Sequence, residues 1–91
     1  MAKPEWWNDE GLKALSARVV KAAPNHLQPN TMRALVLSGL SGAWEVGPRS
    51  AAEQEQAAAH FERAAVMHTA PVTRAEFAKL AEVCRSQAEG M

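Results

Sequence analysis

The chain has 91 residues and a mass of 9.8 kDa, the size of one small domain. Hydrophobic residues make up 47% of it, but 19 residues are alanine, so few large side chains remain to build a core. Ten basic residues balance ten acidic ones, which weighs against a dedicated electrostatic binder of nucleic acid or anionic membrane, and one cysteine excludes an intrachain disulfide framework.

Residues Met1 to Glu5 lack the apolar stretch of a secretion signal, and no apolar run is long enough for a membrane span. The expectation is an intracellular, cytoplasmic protein with no membrane partner. Abundant alanine, with no Tyr and no Ile, predicts helix rather than sheet. Prolines and glycines cut the chain into four helical stretches. Residues 1–91 therefore read as a single all-α domain, a four-helix array, with residues 1–8 as an N-terminal arm.

The first helix is predicted from Asp9 to about Ala23. Asn8 serves as its N-cap, and Asp9 and Glu10 suit the positive end of the helix dipole. Trp7 and Leu12 stand at hydrophobic-staple spacing. Leu12, Leu15, Val19 and Ala22 form its apolar face, and Pro24 ends it. The second helix is predicted from Asn30 to Glu45. Met32, Leu35, Val36, Leu37, Leu40, Ala43 and Trp44 cover most of its circumference, the pattern of a central helix contacted on more than one side. Gly39 and Gly42 inside it would each cost about 1 kcal/mol, which predicts a close helix contact at one of them.

Ser50-Ala51-Ala52-Glu53 is a capping box and opens a third helix, Ala51 to about His68. Its inner face is Ala57, Phe61, Ala64, Ala65 and His68. A second capping box, Thr73-Arg74-Ala75-Glu76, with Val72 and Phe77 at staple spacing, predicts a fourth helix from Arg74 to about Ala88. Phe77, Leu80, Ala81, Cys84 and Ala88 line its apolar face.

The two helix starts share Pro-x-Ser/Thr-x-Ala-Glu. This echo fits two generic helix starts, and it also fits one helix of a solenoid repeated. Leu37, Leu40, Ser41 and Trp44, followed by Ala57, Phe61 and Ala64 and then Pro71, resemble one degenerate unit of the tetratricopeptide repeat over residues 37–71. The resemblance implies a helical hairpin with flanking helices, in which residues 73–89 act as a solvating cap, and it implies protein–protein interaction. The turn is longer than the family's, and serine stands in its glycine slot. A single unit is normally unstable alone, so the first and fourth helices would have to complete its core.

Catalytic and metal chemistry find little support. His60 and His68 are eight positions apart and do not share a helix face, and neither His26, Met67 nor Cys84 supplies a matching pair. Cys84 reads as a buried structural thiol. Glu53 and Glu76 have capping roles, and the glycines form no phosphate-cradling loop. No cofactor, metal or small-molecule substrate is expected. Trp6, Trp7 and Trp44 are the candidate partner-binding residues, since tryptophan is enriched at interface hot spots. Trp6 and Trp7 either fold back on the second helix or project to a partner. The expected function is a non-catalytic protein-interaction module or assembly subunit, its partner another protein or a second copy. The alternative, a small nucleic-acid-binding regulator, requires Arg33, Arg49, Arg63, Arg74 and Arg85 to converge on one surface.

Overall fold

The computed structural model describes residues 4–40 and 44–90. It places four helices in the order α1 (Asp9–Ala22), α2 (Leu27–Ser38), α3 (Ala51–Met67) and α4 (Pro71–Glu89), with no strand among the described residues. The protein is all-α. Each helix packs chiefly on its chain neighbour: α1 on α2, α2 on α3, α3 on α4. Helix α2 is thus flanked on two sides, as its broad apolar surface predicts.

The start of α1 follows the sequence. The Asn8 side chain accepts from the Gly11 amide at 2.8 Å, and the helix ends at Ala22, just before Pro24. The α3 start is the predicted capping box: Ser50 Oγ accepts from the Glu53 amide at 3.1 Å, and Glu53 accepts from the Ser50 amide at 3.0 Å.

Helix α2 departs from expectation at both ends. It begins at Leu27, not Asn30, with Pro29 inside its first turn. Proline is tolerated there because a first-turn N–H has no intrahelical partner to lose. Asn30, inside the helix, is fully buried; its amide nitrogen reaches back to the carbonyls of Pro24 and His26 at 2.9 and 2.8 Å. The helix stops at Ser38, because Gly39 takes a left-handed conformation (φ 70°) as its C-cap. Glycine enters that region without the steric cost other residues bear. Gly39 is therefore a terminator rather than a helix-crossing point, and Leu40 and Trp44 lie beyond the helix. The expectation for Gly42, like the slot assigned to Ser41 and the apolar position Ala43, lies outside the described residues.

The second predicted capping box does not form. Helix α4 begins two residues before Thr73, with Pro71 at its first position and Ala70 as N-cap. A proline's fixed φ and missing N–H suit the first helical position, and this signal overrides Thr73. Val72 is left 71% exposed, so it staples nothing. The two helix starts thus use their shared proline differently. Ser50→Ala should cost about 1 kcal/mol, because a real cap bond is lost. Thr73→Ala should cost less than about 0.5 kcal/mol, as at an ordinary surface position. Urea midpoints of the two variants test this contrast.

The core is built mostly from small residues. Ala34, Leu37, Ala57, Ala58, Phe61, Ala81 and Cys84 form one buried cluster, with Leu35, Leu80 and Phe77 packed against it. Alanines on the inner face of α3 let α2 and α4 approach closely. Phe61, fully buried, is the largest side chain there and meets Phe77 edge to face at 6.1 Å. Burial pushes the Cys84 thiol up, as suits a structural residue.

Five polar side chains tie the helices together in three places. The α1 face includes Ser16, which sequence periodicity passes over; it is fully buried. Arg33 of α2 donates to Ser16 Oγ at 3.0 Å and to the Lys13 carbonyl at 2.8 Å. Between α2 and α3, His60 Nδ1 meets Asn30 Oδ1 at 2.9 Å. Since that oxygen can only accept, His60 carries its proton on Nδ1. Burial, with Arg63 and Arg33 nearby, lowers the His60 pKa. Gln54 of α3 donates to the Ser38 carbonyl at 3.2 Å, satisfying one of the last carbonyls of α2.

Candidate binding groove

The side of α2 that neither α1 nor α3 covers forms the floor of an open groove of about 510 Å³. Leu27, Thr31, Met32 and Leu35 recur at helical spacing and supply a continuous apolar strip. One end is walled by Trp7, Leu12 and Trp44, the other by His68 and Phe77. The antiparallel run of α3 against α2 brings His68, the α3 C-cap, to the N-terminal end of α2.

The tryptophan end is held by an ion pair between a buried guanidinium and a partly exposed carboxylate. Arg49, its side chain 4% exposed, sets both guanidinium nitrogens on the Asp9 carboxylate at 2.7 and 2.5 Å. Asp9 also accepts from the Trp44 indole N–H at 2.9 Å and from the Gly47 amide at 3.2 Å. Arg49 in turn donates to the Val36 carbonyl at 2.8 Å, near the C-terminus of α2. One carboxylate at the start of α1 thereby fixes the segment that carries Trp44. Arg49's hydrogen bonds, joined by those of Trp44 and Gly47, hold the Asp9 carboxyl far below the usual range; Asp9 correspondingly raises Arg49. Lys13 extends the network to Glu53 at 2.6 Å and, with the Ser50 amide, lowers the Glu53 pKa.

The N-terminal arm closes the same end. The Trp7 amide donates to the Pro4 carbonyl at 3.0 Å, the Asn8 amide to the Trp6 carbonyl at 2.9 Å, and the Asn8 side chain to the Glu5 carbonyl at 2.6 Å. This tight turn lies directly on α1. A Cβ at Gly11 would run into the Trp6 carbonyl, so the arm's path requires glycine at that position. Gly11→Ala should lift the arm and shift the tryptophan emission to longer wavelength. An unchanged spectrum with a raised melting temperature would mean that only the gain in helix propensity is felt.

The three tryptophans thus gather at one end of the groove in different states. Trp7 is half-buried and lines the groove; Trp44 lines it through a fixed indole; Trp6 stands beside Trp7, edge to face at 5.8 Å, and is 49% exposed. His68 contributes a ring packed on Phe77 at 4.7 Å and a buried Nε2 with no hydrogen-bond partner. Asp9 and Arg49, which hold the end together, carry no local sequence signal for that role; they are 40 positions apart. Among the described residues, no three His, Cys, Asp or Glu side chains group as metal ligands, and no helix is long and apolar enough to cross a membrane.

These features define a small all-α protein with an apolar groove on its central helix. No family model, curated protein or solved structure matches the chain.

Proposed function

We propose that the protein is a non-catalytic interaction module whose α2 groove docks an apolar segment of a protein partner. The observation that carries this is the groove itself, apolar along its floor and edged by two tryptophans held in fixed positions. Pre-set aromatic walls lose little conformational freedom on binding, which is how interface hot spots work. Exposed contiguous apolar surface of this kind goes with docking sites. On the inner face of α3, Ala57, Phe61 and Ala64 are buried at the spacing of a tetratricopeptide second helix, which supports reading α2 and α3 as a hairpin of that type. Its first helix is shorter than the resemblance implies. A free buried cysteine suits an intracellular, reducing setting.

The arginines favour a protein over nucleic acid. Arg49 is spent on Asp9, Arg33 on Ser16 and the Lys13 carbonyl, Arg74 on the carbonyls of His68 and Val66, and Arg85 on Glu62. Arg63 alone among the five makes no such contact, so little is left to neutralise phosphates in concert.

The test is residue-specific photo-crosslinking. A crosslinker at Met32, in the groove, should capture a protein, while one at Val83, exposed on α4, should not. Equal capture from both positions, or none from Met32, would sink the proposal.

A further inference from the structure

We propose that the protein carries a second site, for the phosphate group of a small molecule, where Arg33 of α2 and Arg63 of α3 flank His60. The site is separate from the α2 groove and does not depend on the docking function.

The helix pairing brings these side chains together. Helices α2 and α3 run antiparallel, with Asn30 opposite His60 and Ser38 opposite Gln54. Arg33 lies three positions beyond Asn30, toward the start of α3, and Arg63 lies three positions beyond His60, in the other direction. Residues three apart on a helix are neighbours on its surface. His60 therefore stands between two guanidinium groups. Burial lowers its pKa, and the charges of Arg63 and Arg33 lower it further.

Arg33 is a half-buried cation without a counter-ion. Its Nη1 donates to two neutral acceptors, Ser16 Oγ at 3.0 Å and the Lys13 carbonyl at 2.8 Å. These bonds fix the side chain and leave its charge uncancelled. Burial lowers the Arg33 pKa; Glu53 opposes this through space, but Lys13 holds Glu53 at 2.6 Å. Arg63 is exposed and joins no ion pair among the described residues. A charge drawn out of water is ordinarily paired, so the counter-ion here has to come from outside the chain.

The open atoms select the ligand. Arg33 Nε and Nη2 and His60 Nε2 reach solvent and have no partner among the described residues. The His60 ring is fixed: its Nδ1–H donates to fully buried Asn30, which the carbonyls of Pro24 and His26 hold at 2.9 and 2.8 Å. Nε2 is thereby an acceptor. The guanidinium groups call for anionic oxygens, and the accepting nitrogen calls for a proton on the same ligand. A carboxylate or sulfate offers only acceptors at neutral pH. A phosphate group, which takes up its second proton near neutrality, offers both. Two arginines at one point hold one such group and do not track a nucleic-acid backbone.

Titration of the full chain with inorganic phosphate, read at the histidine ring protons by NMR, tests this. At neutral pH the His60 signals should shift saturably with a millimolar Kd, while exposed His26 follows ionic strength alone. Saturating phosphate should raise the His60 pKa by about one unit, because the protonated site binds phosphate about tenfold better. Sulfate at equal ionic strength should bind more weakly at neutral pH and approach phosphate once His60 is protonated. Arg63→Gln, at an exposed position, should weaken phosphate binding about tenfold with an unchanged melting temperature. Arg33→Gln should weaken it too; since that variant also loses the bonds to α1, Arg63→Gln decides if it unfolds. Equal shifts at His26 and His60, or equal affinity of Arg63→Gln and wild type, mean an adventitious ion only and overturn the site. A phosphate Kd above about 20 mM, or sulfate matching phosphate at neutral pH, overturns it as well. None of these readouts turns on the Met32 crosslink, so the site and the docking function stand or fall separately.

Discussion

Asp9→Ala is expected to destabilise the protein by about 3 kcal/mol, the lower end of the cost of leaving one member of a buried ion pair alone, because Arg49 is buried while the Asp9 side chain is 18% exposed. Arg49 is the more buried partner, and of the carboxylates that act on it Asp9 is the one it hydrogen-bonds, Glu53 acting only through space. The variant also frees the Trp44 indole and the Gly47 amide, so one substitution loosens three contacts to the segment that walls the groove. Equilibrium urea unfolding measures the loss, and a red shift of tryptophan emission reports the freed indole. The same pair sets a pH dependence. The folded pKa of Asp9 lies below that of the unfolded chain, near 3.9. Its contribution is thus fully present above about pH 5 and fades as pH falls through the acid range. Asp9→Asn, which cannot ionise, should differ most from wild type near neutrality and progressively less below about pH 4. Glu53, also lowered by its partners, adds to the acid sensitivity of both proteins alike. A gap between wild type and Asp9→Asn that is independent of pH would mean that the carboxylate charge is not what Arg49 requires.

Phe61→Ala is expected to cost about 3–5 kcal/mol, at the upper end for aromatic truncation. The cost of such a change depends on how far the site can collapse. Here the surrounding buried residues on α3 are Ala57, Ala58, Ala64 and Ala65, which have no length with which to fill the void. A chain of this size has a total stability of only about 5–14 kcal/mol, so the variant should sit close to unfolding at ambient temperature. Phe77, which rests on Phe61 and walls the groove, should move with it. A melting temperature within a few degrees of wild type would contradict the view that this one ring centres the core.

What the sequence discloses depends on the range of the interaction. The starts of α1 and α3 are decided by side chains three residues apart, Asn8 with Gly11 and Ser50 with Glu53, and both are legible. The start of α4 is a competition between two legible signals, Pro71 and Thr73-x-x-Glu76, and the sequence does not say which wins. At α2 the predicted start, Asn30, lies inside the helix and spends its side chain on carbonyls upstream, and an apparent interior glycine turns left-handed. Apolar residues beyond Gly39 imitate a continuing helix because Leu40 and Trp44 happen to keep its period. The groove is half legible. The tryptophans at one end stand out in the composition, while the Asp9–Arg49 clasp that fixes its wall spans 40 positions and leaves no periodic trace.

The neighbour-on-neighbour packing of the helices has a kinetic consequence. Most contacts join segments close in sequence, so little loop entropy has to be lost before contacts form, and the chain should fold on the microsecond to millisecond scale. The Asp9 clasp and the neighbouring Lys13–Glu53 pair are long-range exceptions, linking α1 to the loop before α3 and to the first turn of α3 across 35 to 40 positions. Such contacts are expected to form late, after the α3–α4 hairpin has assembled. Weakening the clasp should therefore leave the refolding rate nearly unchanged and speed unfolding, so that α1 and the arm detach first while the helices behind them still hold.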